Sequence, residues 1–144
     1  ALRDRLLAAA EKVLEEQVPW PSARMFWHSR IRSIADRLAR DERERLQAGG
    51  PLTVETRHHL DLPGLDFTLT AKPDRIDRLH DGRAVIYDYK SGVVPTEAQI
   101  AKFDKQLPLE AVMARRGAFG PPMEVAGLCY IRLGGEGETV ERDC

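Results

Sequence analysis

The first third of the chain shows the spacing of amphipathic helices, in which apolar residues recur every three or four positions. Residues 2–16 form the first predicted helix. A longer helix is predicted after Pro21, with Ser22 as its candidate N-cap, and it ends at Gly49-Gly50-Pro51. Its apolar stripe is made of Trp27, Ile31, Ile34, Ala35 and Leu38. This stripe favours a core position for Trp27 over a role as a base-stacking surface.

After Pro51 the pattern changes to the alternation of apolar and polar residues that is typical of β-strands. Residues 52–60 are predicted as one strand and residues 67–79 as a second. Asp81-Gly82 then marks a hairpin turn. The third, fourth and fifth predicted strands are residues 84–90, 125–133 and 139–142.

A helix is predicted between the third and fourth strands. Thr96 and Gln99 stand at the spacing of a capping box at its start. The helix is expected to be interrupted near Pro108 and to resume to about Arg116. The element order predicts an α/β fold with a mixed β-sheet and helices on its faces.

The composition is that of an ordinary globular domain. The chain has 144 residues and a net charge of −1, and we expect one domain with a helical lead-in, residues 1–50, and a sheet core, residues 51–144. Two cysteines, Cys129 and Cys144, are too few for a disulfide framework and favour a reducing cytoplasm. No apolar run suits a membrane span, and no signal peptide is evident. Because Ala1 opens the chain without Met, we expect a piece of a longer protein.

Basic residues cluster on the second predicted helix, although the net charge gives no signature of nucleic-acid binding for the whole chain. The cluster consists of Arg24, Arg30, Arg32, Arg37 and Arg40. Acidic residues are interleaved at Asp36, Asp41, Glu42 and Glu44. This mixture favours a solvated helix face over a DNA-binding stripe.

The length of the hairpin loop decides which carboxylates share a face of the sheet. A two-residue loop at Asp81-Gly82 would place Asp74 opposite Tyr89, and Asp74 would then point away from Asp88. A three-residue loop needs a residue with positive φ in its third position, where Gly82 stands. This second register sets Asp74 opposite Asp88, and it is the register that we predict.

The three-residue loop gathers functional groups at one end of an apolar strip. The other predicted pairs are Ile76 with Ile86, Asp77 with Val85, and Lys72 with Lys90. Lys90 therefore shares the face of Asp74 and Asp88, whereas Asp77 lies on the other face. A bulge at Pro73 would disturb this register.

Two carboxylates at cross-strand distance repel each other unless a cation or a proton lies between them. The oxygen ligands of Asp74 and Asp88 suit Mg²⁺, with Mn²⁺ as a substitute, and the backbone carbonyl of Tyr89 is a further candidate ligand. Such a metal ion would activate a water molecule, and the ammonium of Lys90 could hold that water. The alternative interpretation is a surface hairpin with a cross-strand Lys–Asp ion pair.

Three stretches resemble a known family. They are residues 71–79, Ala-Lys-Pro-Asp-Arg-Ile-Asp-Arg-Leu, residues 85–92, Val-Ile-Tyr-Asp-Tyr-Lys-Ser-Gly, and residues 105–111, Lys-Gln-Leu-Pro-Leu-Glu-Ala. Together they resemble the RecB-type branch of the PD-(D/E)XK nuclease superfamily, and within it the C-terminal nuclease domains of AddB-type helicase–nuclease subunits. The resemblance runs from the helix of Trp27 to residues 130–135. It implies a restriction-endonuclease-like fold, a mixed β-sheet flanked by helices.

The resemblance also implies the roles of individual residues. Asp74 and Asp88 resemble the family's metal-binding carboxylates, and Lys90 resembles its catalytic lysine. Gln106 matches the glutamine of a downstream motif that helps to order the site. Glu55 is a weaker candidate for an auxiliary acidic role at the metal, with an exposed strand residue as the alternative. The implied cofactor is Mg²⁺, and the implied partners are DNA and a helicase–nuclease subunit of the AddA type.

The chain departs from the family's pattern in three ways. The His-bearing helix that contributes to the metal site in relatives has no counterpart here, so we expect that the isolated chain lacks full activity. The histidines outside such a motif, treated as non-ligands, are His28, His58, His59 and His80. Glu110 stands where the family's motif has a tyrosine. Two cysteines cannot hold the iron–sulfur cluster of many relatives, so no cluster is expected and Cys129 is interpreted as a core residue.

These features predict a metal-dependent DNA nuclease, with exonuclease activity favoured, that acts in double-strand break repair and recombination. One alternative is a non-catalytic DNA-binding or scaffold module that keeps the nuclease fold, which the nearly neutral net charge favours. Another is an unrelated α/β interaction domain in which the carboxylates are surface charges.

Overall fold

The computed structural model describes residues 1–134 and 139–142, and the chain divides into a helical unit, Ala1–Gln47, and a sheet unit, Ala48–Cys144. Helix α1 spans Leu2–Gln17 and helix α2 spans Pro21–Ala48, so both predicted helices are confirmed. The expected N-cap at Ser22 is wrong, because helix α2 already begins at Pro21. The missing N–H of proline costs nothing in the first turn of a helix. Over the described ranges, no helix combines the length and apolarity of a membrane span.

The core position expected for Trp27 is wrong, because its side chain is 44% exposed. The buried residues of the two helices are Leu14, Ala35 and Ala39. Burial in α2 therefore begins only at Ala35, and the N-terminal turns that carry Trp27 are solvated. Apolar spacing identifies a helix face, but it does not say whether another surface covers that face.

The strands of the sheet unit are β1 (Gly49–Val54), β2 (His58–Leu62), β3 (Phe67–Ala71), β4 (Arg75–Leu79), β5 (Ala84–Lys90), β6 (Val125–Arg132) and β7 (Thr139–Arg142). Five of them form one sheet in the order β1-β4-β5-β6-β7, and β2 pairs with β3 in a separate sheet. Strands β5 and β6 are parallel, and the other neighbours are antiparallel. The mixed sheet expected from the sequence is confirmed, together with its last three strands.

Two of the predicted strands are each divided into two. The strand expected at residues 52–60 ends at Val54, because Glu55 adopts a left-handed φ of 49°. The Glu55 N–H donates instead to the carbonyl oxygens of Pro73, at 3.1 Å, and Asp74, at 3.2 Å. The strand expected at residues 67–79 is interrupted at this same point, where Pro73 has no N–H with which to continue a ladder.

Two short helices, α3 (Glu97–Lys102) and α4 (Gln106–Arg115), connect β5 to its parallel neighbour β6. The capping box of Thr96 and Gln99 is confirmed. The break lies at residues 103–105 rather than near Pro108, because Pro108 occupies the first turn of α4, where an N–H would have no helical partner. Helix α4 packs on β5 and β6. The core between them includes Ile76, Ile86, Leu107, Met113, Leu128 and Tyr130.

Candidate active site

The hairpin of β4 and β5 has the register that loop parity predicts. Leu79 donates its N–H to the carbonyl oxygen of Arg83 at 2.8 Å, and Gly82 adopts a positive φ of 87° in the loop. Ile76 lies opposite Ile86 in the ladder. Because Asp88 follows Ile86 by two residues on the same strand, it points to the face of the sheet that packs against α4.

Asp88 is a buried carboxylate, only 4% exposed, near the end of β5. Its Oδ2 lies 2.9 Å from the Nζ of Lys90. Burial raises the pKa of Asp88, the Lys90 ammonium opposes that shift, and the negative charges of Asp74 and Asp104 add to it. The Asp88 carboxylate in turn raises the pKa of Lys90. Lys90 is therefore held as a cation beside a group of carboxylates.

Asp74 precedes β4 in the chain but is tied to β5. Its Oδ2 accepts a hydrogen bond from the backbone N–H of Tyr89 at 2.8 Å. The ladder pairs Arg75 with Tyr87, so its continuation by one residue sets Asp74 opposite Asp88. The two carboxylates therefore meet at one end of the hairpin, although Asp74 lies just outside the strand.

Asp77, the other acidic residue of β4, is committed to a structural ion pair. It is 1% exposed, and Arg75 donates to its carboxylate from Nε at 2.5 Å and from Nη2 at 2.8 Å. The Arg75 guanidinium also lies over the ring of Tyr87, 5.7 Å from its centroid. Asp77 faces Val85 across the ladder, and this arrangement explains its separation from the Asp74–Asp88 pair.

Glu55 and Lys72 form an ion pair of their own, with 2.6 Å between Oε2 and Nζ. Lys72 lies in the break between β3 and β4, so its expected pairing with Lys90 is wrong. The cause is Pro73, which ends the ladder before Lys72 can join it. An auxiliary role for Glu55 at a metal stays a prediction, and the exposed ion pair with Lys72 is the contact that the structure gives it.

Helix α4 adds a carboxyl group that sequence reasoning had treated only as a departure from the family's motif. Glu110 is 3% exposed, and its Oε1 accepts a hydrogen bond from the side-chain amide of the exposed Gln106 at 3.4 Å. Its Oε2 has no hydrogen-bond partner among the described residues. Burial raises the pKa of Glu110 to about 7; the Gln106 amide opposes this shift, and the charges of Asp88 and Asp74 add to it.

The crossover from β5 to β6 explains this position. Since α4 runs back along the sheet, its first turns lie near the end of β5 at which Asp88 stands. One signal of this arrangement is present in the sequence, because Glu110 falls at helical spacing between Leu107 and Met113, both of which are buried. The sequence contains no comparable indication for Asp104, which lies in the loop before α4.

A groove of about 250 Å³ borders the same side of α4. Its polar lining consists of Thr70, Lys72, Gln106 and Glu110. The groove brings the Lys72 ammonium and the Gln106 amide to the same space as the Glu110 carboxyl group.

The donor set at the end of the hairpin suits a hard divalent cation. Asp74 and Asp88 supply two carboxylates at the end of the hairpin, and the negative charge of Asp74 adds to the rise in the pKa of Asp88. Within residues 1–134 and 139–142, no three His, Cys, Asp or Glu side chains stand together as a ready metal cluster. Two carboxylates, a backbone carbonyl and water molecules are a sufficient ligand set for Mg²⁺, which keeps several waters in most protein sites.

Comparison with known protein families identifies this chain's family. The model of the PD-(D/E)XK nuclease superfamily matches residues 1–143, which is nearly the whole chain. A search of curated proteins finds no match.

Proposed function

Because the chain belongs to the PD-(D/E)XK nuclease superfamily, we propose that it is a metal-dependent DNA phosphodiesterase whose active site consists of Asp74, Asp88 and Lys90. The observation that carries the proposal is the meeting of these three residues at one end of the β4–β5 hairpin. Asp74 is anchored there by the Tyr89 N–H, and Lys90 lies 2.9 Å from Asp88. Membership of a nuclease superfamily indicates the class of substrate. The hairpin provides the carboxylates and the lysine of the proposed active site.

The residues have separate tasks in this proposal. Asp74 and Asp88 hold Mg²⁺, or Mn²⁺ in its place, with the Tyr89 carbonyl as a further ligand. When bound, the cation activates a water molecule and neutralises charge on the scissile phosphate. The hydrogen bond from the Tyr89 N–H keeps the Asp74 carboxylate in its orientation. Lys90 stays protonated and stabilises the negative charge that develops on the phosphate oxygens.

In this proposal, Gln106 helps to order the active site. Its amide contacts Glu110 and lines the groove beside α4, where it can touch the DNA backbone. We expect that its removal lowers activity.

Cleavage of single-stranded DNA in Mg²⁺ or Mn²⁺ tests the proposal, with wild type, Lys90→Ala and Lys12→Ala compared. Lys12 is an exposed lysine of α1 and serves as the matched control. We expect that Lys90→Ala loses activity by a factor of about 100 or more, as when one transition-state donor is removed, while Lys12→Ala keeps it. Equal cleavage by all three proteins would overturn the mechanism.

We further propose that the domain works as an exonuclease in a cytoplasmic helicase–nuclease that processes double-strand breaks, with a partner subunit of the AddA type. The support is the residue-level resemblance of Asp74, Asp88 and Gln106, in their sequence contexts, to AddB-type domains. Copurification of a helicase subunit with the protein, and loss of end-dependent degradation in Asp88→Asn, are the expected results.

A second candidate is a non-catalytic DNA-binding or scaffold module, and the Lys90–Asp88 ion pair favours it because the lysine already neutralises one carboxylate. Calorimetric titration with Mn²⁺ separates the two. Binding that Asp88→Asn abolishes supports the nuclease. Absent binding, or binding indifferent to Asp88→Asn, supports the scaffold.

A further inference from the structure

The segment of residues 18–35, which joins α1 to α2 and forms the first half of α2, has an unusual charge pattern. It contains three arginines, one histidine and no acidic residue. The chain as a whole has 22 Lys and Arg against 23 Asp and Glu. We call residues 18–35 the cationic segment. The net charge of the chain does not reveal this local positive charge, because acidic residues follow the segment on α2 from Asp36 onward.

The cationic segment also carries exposed apolar side chains. The exposed fractions are 69% for Trp20, 75% for Met25, 54% for Phe26 and 44% for Trp27. The rings of Phe26 and Trp27 meet edge to face, with 5.5 Å between their centroids and 77° between their planes. The Arg30 guanidinium lies 5.6 Å from the centroid of the Phe26 ring and 5.9 Å from that of the Trp27 ring. Helical spacing explains this contact, since Arg30 stands three and four positions after the two rings.

Exposed aromatic rings beside guanidinium groups suit a ligand that combines flat apolar faces with negative charge. Single-stranded DNA has both features, because its unpaired bases expose their π-faces and its backbone carries a phosphate at each nucleotide. Duplex DNA hides the base faces. An apolar protein surface would use the rings but would have no need of a segment free of acidic residues, so charge complementarity favours the nucleic acid.

We propose that the cationic segment is a single-stranded DNA binding surface, in which bases stack on Phe26 and Trp27 while Arg30 and Arg32 contact phosphates. A neighbouring groove of about 370 Å³ is lined by Glu11 and Glu15 of α1 beside Arg24 and Met25. Its carboxylates repel phosphate, so the strand follows the side of α2 that carries Phe26 and Arg30. The inference rests on the proposed function only for the choice of DNA as the ligand, because none of its residues belongs to the metal site.

The two tryptophans of the chain, Trp20 and Trp27, both lie in the cationic segment, so intrinsic fluorescence reports on this surface alone. Labelled oligo-dT is titrated with the Lys90→Ala chain in EDTA, which prevents cleavage and excludes binding through a metal. We expect tryptophan quenching together with a rise in the anisotropy of the label. In that background, Phe26→Ala/Trp27→Ala should weaken binding about tenfold or more, as the loss of a stacked base predicts.

Two further variants keep the test decisive. Arg30→Gln retains a good helix former and should weaken binding and reduce its salt dependence. Phe67→Ala, at an exposed aromatic residue of β3 that is 57% exposed, is the matched control and should bind like its parent. Circular dichroism checks that each variant keeps its helices.

The outcomes separate this inference from the proposed function. Quenching by oligo-dT in a chain whose wild type never cleaves DNA supports the binding surface and counts against the nuclease. Cleavage without quenching, or equal oligo-dT affinity in Phe26→Ala/Trp27→Ala, overturns the binding surface. Self-association that this double variant abolishes, without oligo-dT binding, assigns the rings to a protein contact and also overturns it.

Discussion

The carboxylate of Asp74 accepts a hydrogen bond from the backbone N–H of Tyr89, with 2.8 Å between Oδ2 and N. This contact joins the break between β3 and β4 to the strand that carries Asp88 and Lys90. It holds a charged side chain at the point where the β4–β5 ladder ends. This hydrogen bond therefore fixes the position of the Asp74 carboxylate relative to Asp88, although Asp74 itself lies outside the strands.

Asp74→Asn should separate the structural role of this side chain from its role at a metal. The amide oxygen of asparagine can still accept from the Tyr89 N–H, so we expect near wild-type stability but at least a tenfold loss of Mn²⁺ affinity, because one carboxylate is gone. Asp74→Ala should lose the same affinity and also about 1.5–3 kcal/mol of stability, the range for a hydrogen bond to a charged group. Calorimetry and chemical denaturation measure the two effects. Unchanged Mn²⁺ affinity in both variants would remove Asp74 from the ligand set.

Asp77→Ala should destabilise the protein strongly while leaving Mn²⁺ affinity intact. The change removes one partner of a buried ion pair, which costs about 3–5 kcal/mol. The denaturation midpoint is the measurement. Asp81→Ala is the matched control, since Asp81 also pairs with an arginine two residues away, but in solvent, and its midpoint should stay close to that of wild type. Similar midpoints for the two variants would contradict the structural role of Asp77.

Glu110 should make the stability of the metal-free protein fall as pH rises. Its pKa in the folded protein is about 7 against an ordinary value of 4.5, so the folded state binds the proton more tightly than the unfolded state does. The resulting stabilisation is complete below the unfolded pKa and is lost as pH rises through the folded pKa. Glu110→Gln removes this dependence. Between pH 5 and pH 8 we expect wild type to lose about 2–3 kcal/mol relative to Glu110→Gln.

Denaturation midpoints in EDTA at several pH values check the Glu110 prediction. Glu44→Gln, at an exposed glutamate of α2, should follow the wild-type pH curve throughout. Parallel curves for wild type and Glu110→Gln would show that Glu110 is ionised in the folded protein over the whole range, contrary to the effect expected from its burial.

Gly82→Ala should destabilise the hairpin that carries Asp88. Gly82 has a positive φ of 87°, which an L side chain adopts only at a cost, so we expect a loss of about 1 kcal/mol. Gly50→Ala is a suitable control, because Gly50 has no positive φ and a Cβ there meets open space. Chemical denaturation measures both. If the two substitutions cost the same, the positive φ does not account for the glycine in the loop.

The hairpin is the part of the site that the sequence by itself determines. Its register depends on loop parity and on a positive φ that glycine accommodates, and both are local properties of residues 79–83. The choice of Asp74 over Asp77 follows from that register, because side chains alternate between the faces of a strand. The capping box of Thr96 and Gln99 is equally local, and it too was predicted correctly.

Tertiary structure decides the features that depend on distant residues. The alternation over residues 52–60 gives no sign that the Glu55 N–H turns to the Pro73 and Asp74 carbonyls, because that contact joins segments apart in the chain. The exposure of Trp27 depends on which surface covers α2, and the pKa of Glu110 depends on the sheet against which α4 packs. Periodicity records which residues share a face. Burial, and with it the charge state of a carboxyl group, is set by what packs against that face.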